Sequence, residues 1–406
     1  MIPFLRKQFN DSYTPKRYST FLRHVDDMCG THVSFRLSET PCFFPKKLIE
    51  RMARDGKELI RQLVENPEYR RKSDDAVPAE FKVPNEPDHP MFVQVDFGLV
   101  RDERGELQPK LVELQAFPSL YAYQGPLAEA YLDVYGLGGA ASGSRLPASG
   151  RLKYFLSGLE TDSYQSLLQR AIVGEHDPEN VILMEIDPSH QKTLPDFLLT
   201  EKTLGVRTVD IVDIKKEGSR LYYERGGKRV PILRIYNRTI VDELERKGVK
   251  FGFDWRDDLQ VEWAGHPNWY FRISKFSIPY LQHESVPKTW FLDRLPEIPH
   301  DLENYALKPL YSFAGLGVVI APKKEDIAAI PAEKRPFYIL QERMNFEPVI
   351  ATPFGGTKAE VRVMYVWLDE LTAVLTIIRM GRGLMMGVDH NKNMEWVGAS
   401  AGFYLD

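Results

Sequence analysis

The chain has 406 residues, 43% of them hydrophobic, and 53 lysines and arginines against 57 acidic residues leave a net charge of -4. That length supports two or three packed units, and the balance gives no general attraction to nucleic acid or an anionic membrane, so any phosphate site has to be local. The opening MIPFLRKQFNDSY carries too short an apolar run for a signal peptide, the most hydrophobic stretch, VRVMYVWLDELTAVLTIIRMG, is broken by Asp369, Glu370 and Arg379, and two cysteines, Cys29 and Cys42, are too few for a disulfide framework or a cysteine zinc site, so a cytoplasmic protein is expected.

Residues 40 to 72 space Leu48, Ile49, Met52, Leu59, Ile60 and Leu63 at helical intervals, which predicts a helix with one buried stripe. After the proline-rich VPNEPDHP, the runs MFVQVDFGLV and KLVELQAF flank the charged turn RDERGELQ and predict a β-hairpin. Residues 135 to 150, YGLGGAASGSRLPASG, read as a loop whose glycines lack the spacing of a dinucleotide site. From about 150 to 285, apolar strands VILMEID, RTVDIVDI and VPILRIYNRT alternate with helices, the order of an α/β unit with a largely parallel sheet. The remainder holds the strand FYILQERM and two β-rich runs, AEVRVMYVWLD and LTAVLTIIRMG.

In ALKPLYSFAGLGVVI, Lys308 ends a strand, Pro309 forbids continuation of the ladder, and Ser312, Gly315 and Gly317 belong to a loop whose backbone can approach a ligand. Backbone amides and a lysine make a phosphate cradle; a glycine-containing hairpin with a surface lysine has the same signature. On the earlier hairpin, Glu113 and Gln115 share one strand face and Asp96 meets them from the facing strand. Two carboxylates and an amide oxygen are hard ligands suited to Mg²⁺, although a solvated hairpin face has the same pattern. Arg362, Arg379 and Arg382 supply forks for an acyl-phosphate or carboxylate, or pair across strands with Glu360. Asp389 and Asn391 suit a turn held by their side chains.

The order of lysine strand, glycine loop, apolar strand and LQE linker, preceded by HPNWYFRISKFSIPYLQHESVPKTWF, resembles the ATP-grasp enzymes. The hairpin VQVDFGLVRDERGELQPKLVELQAF resembles that of glutathionylspermidine synthase and, more distantly, eukaryotic glutathione synthetase, in which the strand order is circularly permuted and the metal ligands precede the ATP lysine. Gln115 stands where that family has asparagine, Gln94 where glutathionylspermidine synthase has an arginine, and YSFAGLG lacks the usual acidic residue.

The resemblance implies an α/β (α+β) protein with a helical N-terminal region and metal-bearing hairpin (1–150, hairpin 91–124), a pre-ATP-grasp-like domain (151–285) and an ATP-grasp nucleotide lobe (286–406). It implies ATP held by Lys308, Ser312, Gly315, Gly317, Gln341, Glu342 and Met344, Mg²⁺ held by Asp96, Glu113 and Gln115, and Arg379 and Arg362 as catalytic groups. The implied chemistry joins a small carboxylate to an amine through an acyl-phosphate. A phosphotransferase and a catalytically silent nucleotide-binding or partner protein are the alternatives.

Overall fold

The computed structural model describes residues 1–137, 150–311, 316–387, 391 and 393–406. Its longest described helix, Lys46–Val64, is shorter than the helical spacing over 40–72 predicts. Pro45 precedes its first turn and Pro67 opens a separate helix, Pro67–Lys72, because proline lacks the N–H that a helix interior needs. Cys42 and Phe43 instead pair in parallel with Gly402 and Phe403. The expected stripe is buried, and it packs on the hairpin face formed by Val93, Val95, Phe97 and Leu99.

The hairpin forms as expected, from Phe92–Arg101 and Leu107–Gln115. It is the edge of an eight-stranded sheet continued by Gly355–Trp367, Leu371–Gly381, Gly398–Leu405 and Cys42–Phe43 in spatial order. This sheet runs across the expected divisions near 150 and 285, because the hairpin finds its next strand more than 250 residues downstream, with Arg362 opposite Asp96 in register. Alternation turns Gln94, Asp96, Glu360 and Arg362 away from the apolar face that covers the helix.

The central segment builds a four-stranded parallel sheet in the spatial order Arg207–Asp210, Val181–Glu185, Arg234–Asn237, Glu262–Ala264, as the alternation of strands and helices predicts. Lys308 lies in a separate antiparallel sheet of Thr289–Phe291, Tyr338–Glu342, Tyr305–Pro309 and Val319–Ile320. Most of the expected loop at 135 to 150 lies outside the described residues; Tyr135 itself ends the helix Gln124–Tyr135. Cys29 and Cys42 are buried free thiols, and no described helix is long and apolar enough to cross a membrane.

Candidate functional site

The lysine sheet, the hairpin sheet and the parallel sheet meet around a cavity of about 870 Å³. Among the described residues its wall carries ten lysines and arginines and five glutamates, with no aspartate. This surplus of positive charge stands against the net negative charge of the whole chain. A concave site with walls of one sign concentrates anions.

Lys308 is not the mobile surface charge of a simple hairpin. It is 8% exposed, and its Nζ donates to Gln341 Oε1 at 2.5 Å and to the Val112 carbonyl at 3.4 Å. The strand pairing allows this, since Lys308 lies opposite Ile339 on the adjacent antiparallel strand and Gln341, two residues on from Ile339, shares its face of the sheet. Burial pulls the lysine down to about 8, against the attraction of Glu113. Gln341 Nε2 is buried with no partner.

In the LQE linker, the Glu342 amide donates to the Lys288 carbonyl and the Arg343 amide to the Asn304 carbonyl. Those two amides are spent inside the fold, and Met344, next along the linker, lines the cavity. Gly317 takes a left-handed φ of 72°, and a Cβ there would stand 3.1 Å from the Pro309 ring, so the turn after the lysine strand requires glycine. Ser312, Gly315 and Asp389 lie outside the described residues. Asn391 accepts from the Arg382 and Gly383 amides and donates to the Met385 and Gly387 carbonyls, the turn-holding role its residue type suggests.

The three expected metal ligands diverge in role. Asp96 is 1% exposed and grips two guanidiniums: Arg362 donates through Nε at 2.5 Å and NH2 at 2.7 Å, and Arg379 NH2 donates to the same carboxylate. Burial raises the cost of its charge, but Arg362 and Arg379 outweigh that and hold the carboxyl below its ordinary range. In this structure Asp96 is an internal counter-ion to two arginines, where the sequence leads one to expect an open metal ligand. Gln115 donates through Nε2 to Gln94 Oε1 at 2.8 Å, and Gln94 also accepts from Arg362 NH1 at 3.0 Å. Only Glu113 of the expected trio is a carboxylate at the cavity wall, flanked by Lys275 at 3.5 Å and Arg362 at 3.8 Å. Among the described residues no group of three or more His, Cys, Asp or Glu converges as a metal cage.

The two arginines also separate. Arg362 places one donor each from Nε, NH1 and NH2 on Asp96 and Gln94, so it braces the floor of the site. Arg379 NH2 bridges Asp96 and Glu360, the latter at 2.6 Å, while its buried Nε has no partner. Burial pushes Glu360 upward, partly countered by Arg379. Glu360 and Arg362 in AEVRV share a strand face by simple alternation, a signal the sequence carries. Lys275 sits in the apolar run FRISKFSIP with no pattern to single it out.

No protein-family description matches the chain, and no curated protein matches it. Among solved structures, a glutathione synthetase-like effector from Globodera pallida, in its apo form, aligns with 96% of this chain and 99% of its own at a TM-score of 0.57 and 11% identity. At that identity the likeness is one of fold. The chain has a mixed α/β fold similar to that of a glutathione synthetase-like protein.

Proposed function

We propose that the protein is an ATP-dependent carboxylate–amine ligase built on a circularly permuted ATP-grasp plan. The observation that carries this reading is the cation-rich cavity, into which the lysine strand, the glutamine strand and the metal-type hairpin all turn polar side chains. Two of its buried donors, Gln341 Nε2 and Arg379 Nε, have no internal acceptor. Native structures leave few such groups, and a polyphosphate is rich in the acceptors they lack. The glutathione synthetase-like fold supports the same reading.

The residues present fit a nucleotide. Lys308 and Arg379 would face the phosphates, Gln341 would present its idle Nε2, and Met344 would lie along the base. ATP supplies the phosphoryl group that turns a carboxylate into an acyl donor. Charge fixed in advance where negative charge develops is the largest contribution such a site makes, and Asp96 serves it by holding Arg379 in place. A cation held jointly by Asp96, Glu113 and Gln115 does not fit, because Asp96 is already occupied by two guanidiniums. The amine would then attack the acyl carbonyl, forming the amide as the bond to the phosphate oxygen breaks and inorganic phosphate and the amine's proton leave, with Glu113 the carboxylate beside Lys308 and Lys275.

The same occupied Asp96 favours a second reading, a nucleotide-binding protein without turnover. Incubation with ATP, Mg²⁺ and a mixture of small carboxylates and amines, followed by ADP measurement and product mass spectrometry, separates the two. Stoichiometric ADP and a condensed product support the ligase. Saturable ATP binding with neither supports the silent protein.

A further inference from the structure

The parallel sheet brings to the cavity wall a cation, beside the buried carboxyls of Glu185 and Asp196, whose hydrogen-bonding capacity the fold leaves largely unused. Arg238 is 2% exposed. Its Nε and NH1 have no hydrogen-bond partner, and NH2 makes only a long 3.4 Å donation to Thr193 Oγ1. The rings of Phe117 and Phe197 lie 5.1 and 5.4 Å from its central carbon. They confine the guanidinium but accept little of its hydrogen-bonding capacity. A buried cation with idle donors is costly unless something arrives to meet it.

Its place in the parallel sheet is a second, independent pointer. Arg238 directly follows Arg234–Asn237, and its amide donates to the Met184 carbonyl of the neighbouring strand Val181–Glu185. From Val181–Glu185 the chain moves to Arg207–Asp210 on one side, whereas Arg234–Asn237 lies on the other. That reversal opens a crevice beyond the carboxyl ends of the two middle strands, where open parallel sheets bind ligands. Arg238 and Glu185 sit at those two ends, and both line the cavity. Burial pushes the Glu185 carboxyl up to about 8, against the attraction of Arg238. At neutral pH Glu185 is then mostly a neutral acid and does not compete as an anion.

We infer that this crevice is a substrate subsite, separate from the nucleotide end of the cavity, in which Arg238 and Thr193 receive the carboxylate of a small molecule. A single planar guanidinium matches a planar monoanion. The inference rests on the ligase reading only in calling the occupant a substrate; the anion site stands on Arg238 itself.

Thermal melting of wild type and Arg238→Met tests it, with the standard amino acids, succinate and inorganic phosphate as separate millimolar probes and Mg·ATP as an independent arm. We expect at least one carboxylate, and not phosphate, to raise the wild-type Tm by a few degrees. Arg238→Met should lose that shift, keep the Mg·ATP shift, and melt no lower than wild type without ligand, because an apolar stem replaces a buried cation whose Nε and NH1 make no hydrogen bond. Arg238→Lys, which keeps the charge but not the fork, should weaken the carboxylate shift at least tenfold in apparent affinity. The inference is overturned if no carboxylate shifts the wild type, if phosphate alone does, if Arg238→Met responds like the wild type, or if the ligand-free variant melts several degrees lower. Loss of the Mg·ATP arm with the carboxylate arm intact would instead remove the nucleotide reading.

Discussion

Replacing Asp96 by asparagine should unfold the protein more readily than any other single change in the cavity floor. The substitution keeps the shape but withdraws the negative charge that two buried guanidiniums share. Its new amide would also point N–H groups at N–H donors. Removing one partner of a buried ion pair costs about 3–5 kcal/mol, because the other charge stays buried without compensation. With an unfolding entropy of about 2.1 cal/mol/K per residue, a cooperative melt of all 406 residues converts this to a Tm loss of about 4–6 °C. Acid supplies an internal control. The folded-state pKa of Asp96 is depressed, so its contribution is present above the unfolded value of about 4 and drains away as pH falls through the folded value. Urea titrations of wild type and Asp96→Asn should therefore differ at neutral pH and converge in strong acid. Glu360→Gln should cost less, since burial already pushes Glu360 toward its neutral form. A loss under about 1 kcal/mol for Asp96→Asn at neutral pH, below the range for breaking a buried pair, would refute the counter-ion role.

Lys308 has a folded pKa of about 8, below its ordinary value of 10.5, so the folded state releases this proton first and its contribution to stability grows as pH rises between those values. ATP affinity should fall over the same interval as the cation is lost; calorimetric titration at three pH values across it checks the opposed trends, and Lys308→Met should flatten both. Glu113→Gln should lower turnover at least tenfold yet cost under about 1 kcal/mol in a urea melt, because Glu113 is partly exposed and its ion pairs are long. Gly98→Ala should cost about 1–3 kcal/mol by overpacking, since its Cβ would fall 2.1 Å from the Phe346 ring at the cavity wall; loss of nucleotide affinity alongside the stability change, read by calorimetry, would tie Phe346 to the site.

Local periodicity made much of this fold legible. Alternation in the hairpin places Asp96, Glu113 and Gln115 away from the apolar face, and the helical stripe from Leu48 to Leu63 names the surface that covers the other side. Proline marks the helix limits at Pro45 and Pro67 more tightly than hydrophobic spacing does. What the residues do to one another is another matter. Whether Asp96 is open to a cation depends on which strand lies beside it, and that neighbour enters from 266 residues away. Strand periodicity carries no record of such partners. The burial of Lys308 is hidden for the same reason, because its acceptor Gln341 is supplied by a separate strand. Arg238 follows an apolar strand, as many surface arginines do; only the sheet order reveals that it closes a crevice.

Photolabelling with 8-azido-ATP tests the central claim most directly, with labelled peptides mapped by mass spectrometry and excess ATP as competitor. The account predicts competable label on 305–311 or 338–346, the segments bearing Lys308, Gln341 and Met344, and its loss in Lys308→Met. Label confined to peptides remote from the cavity, or no competable label in the wild type, would contradict it.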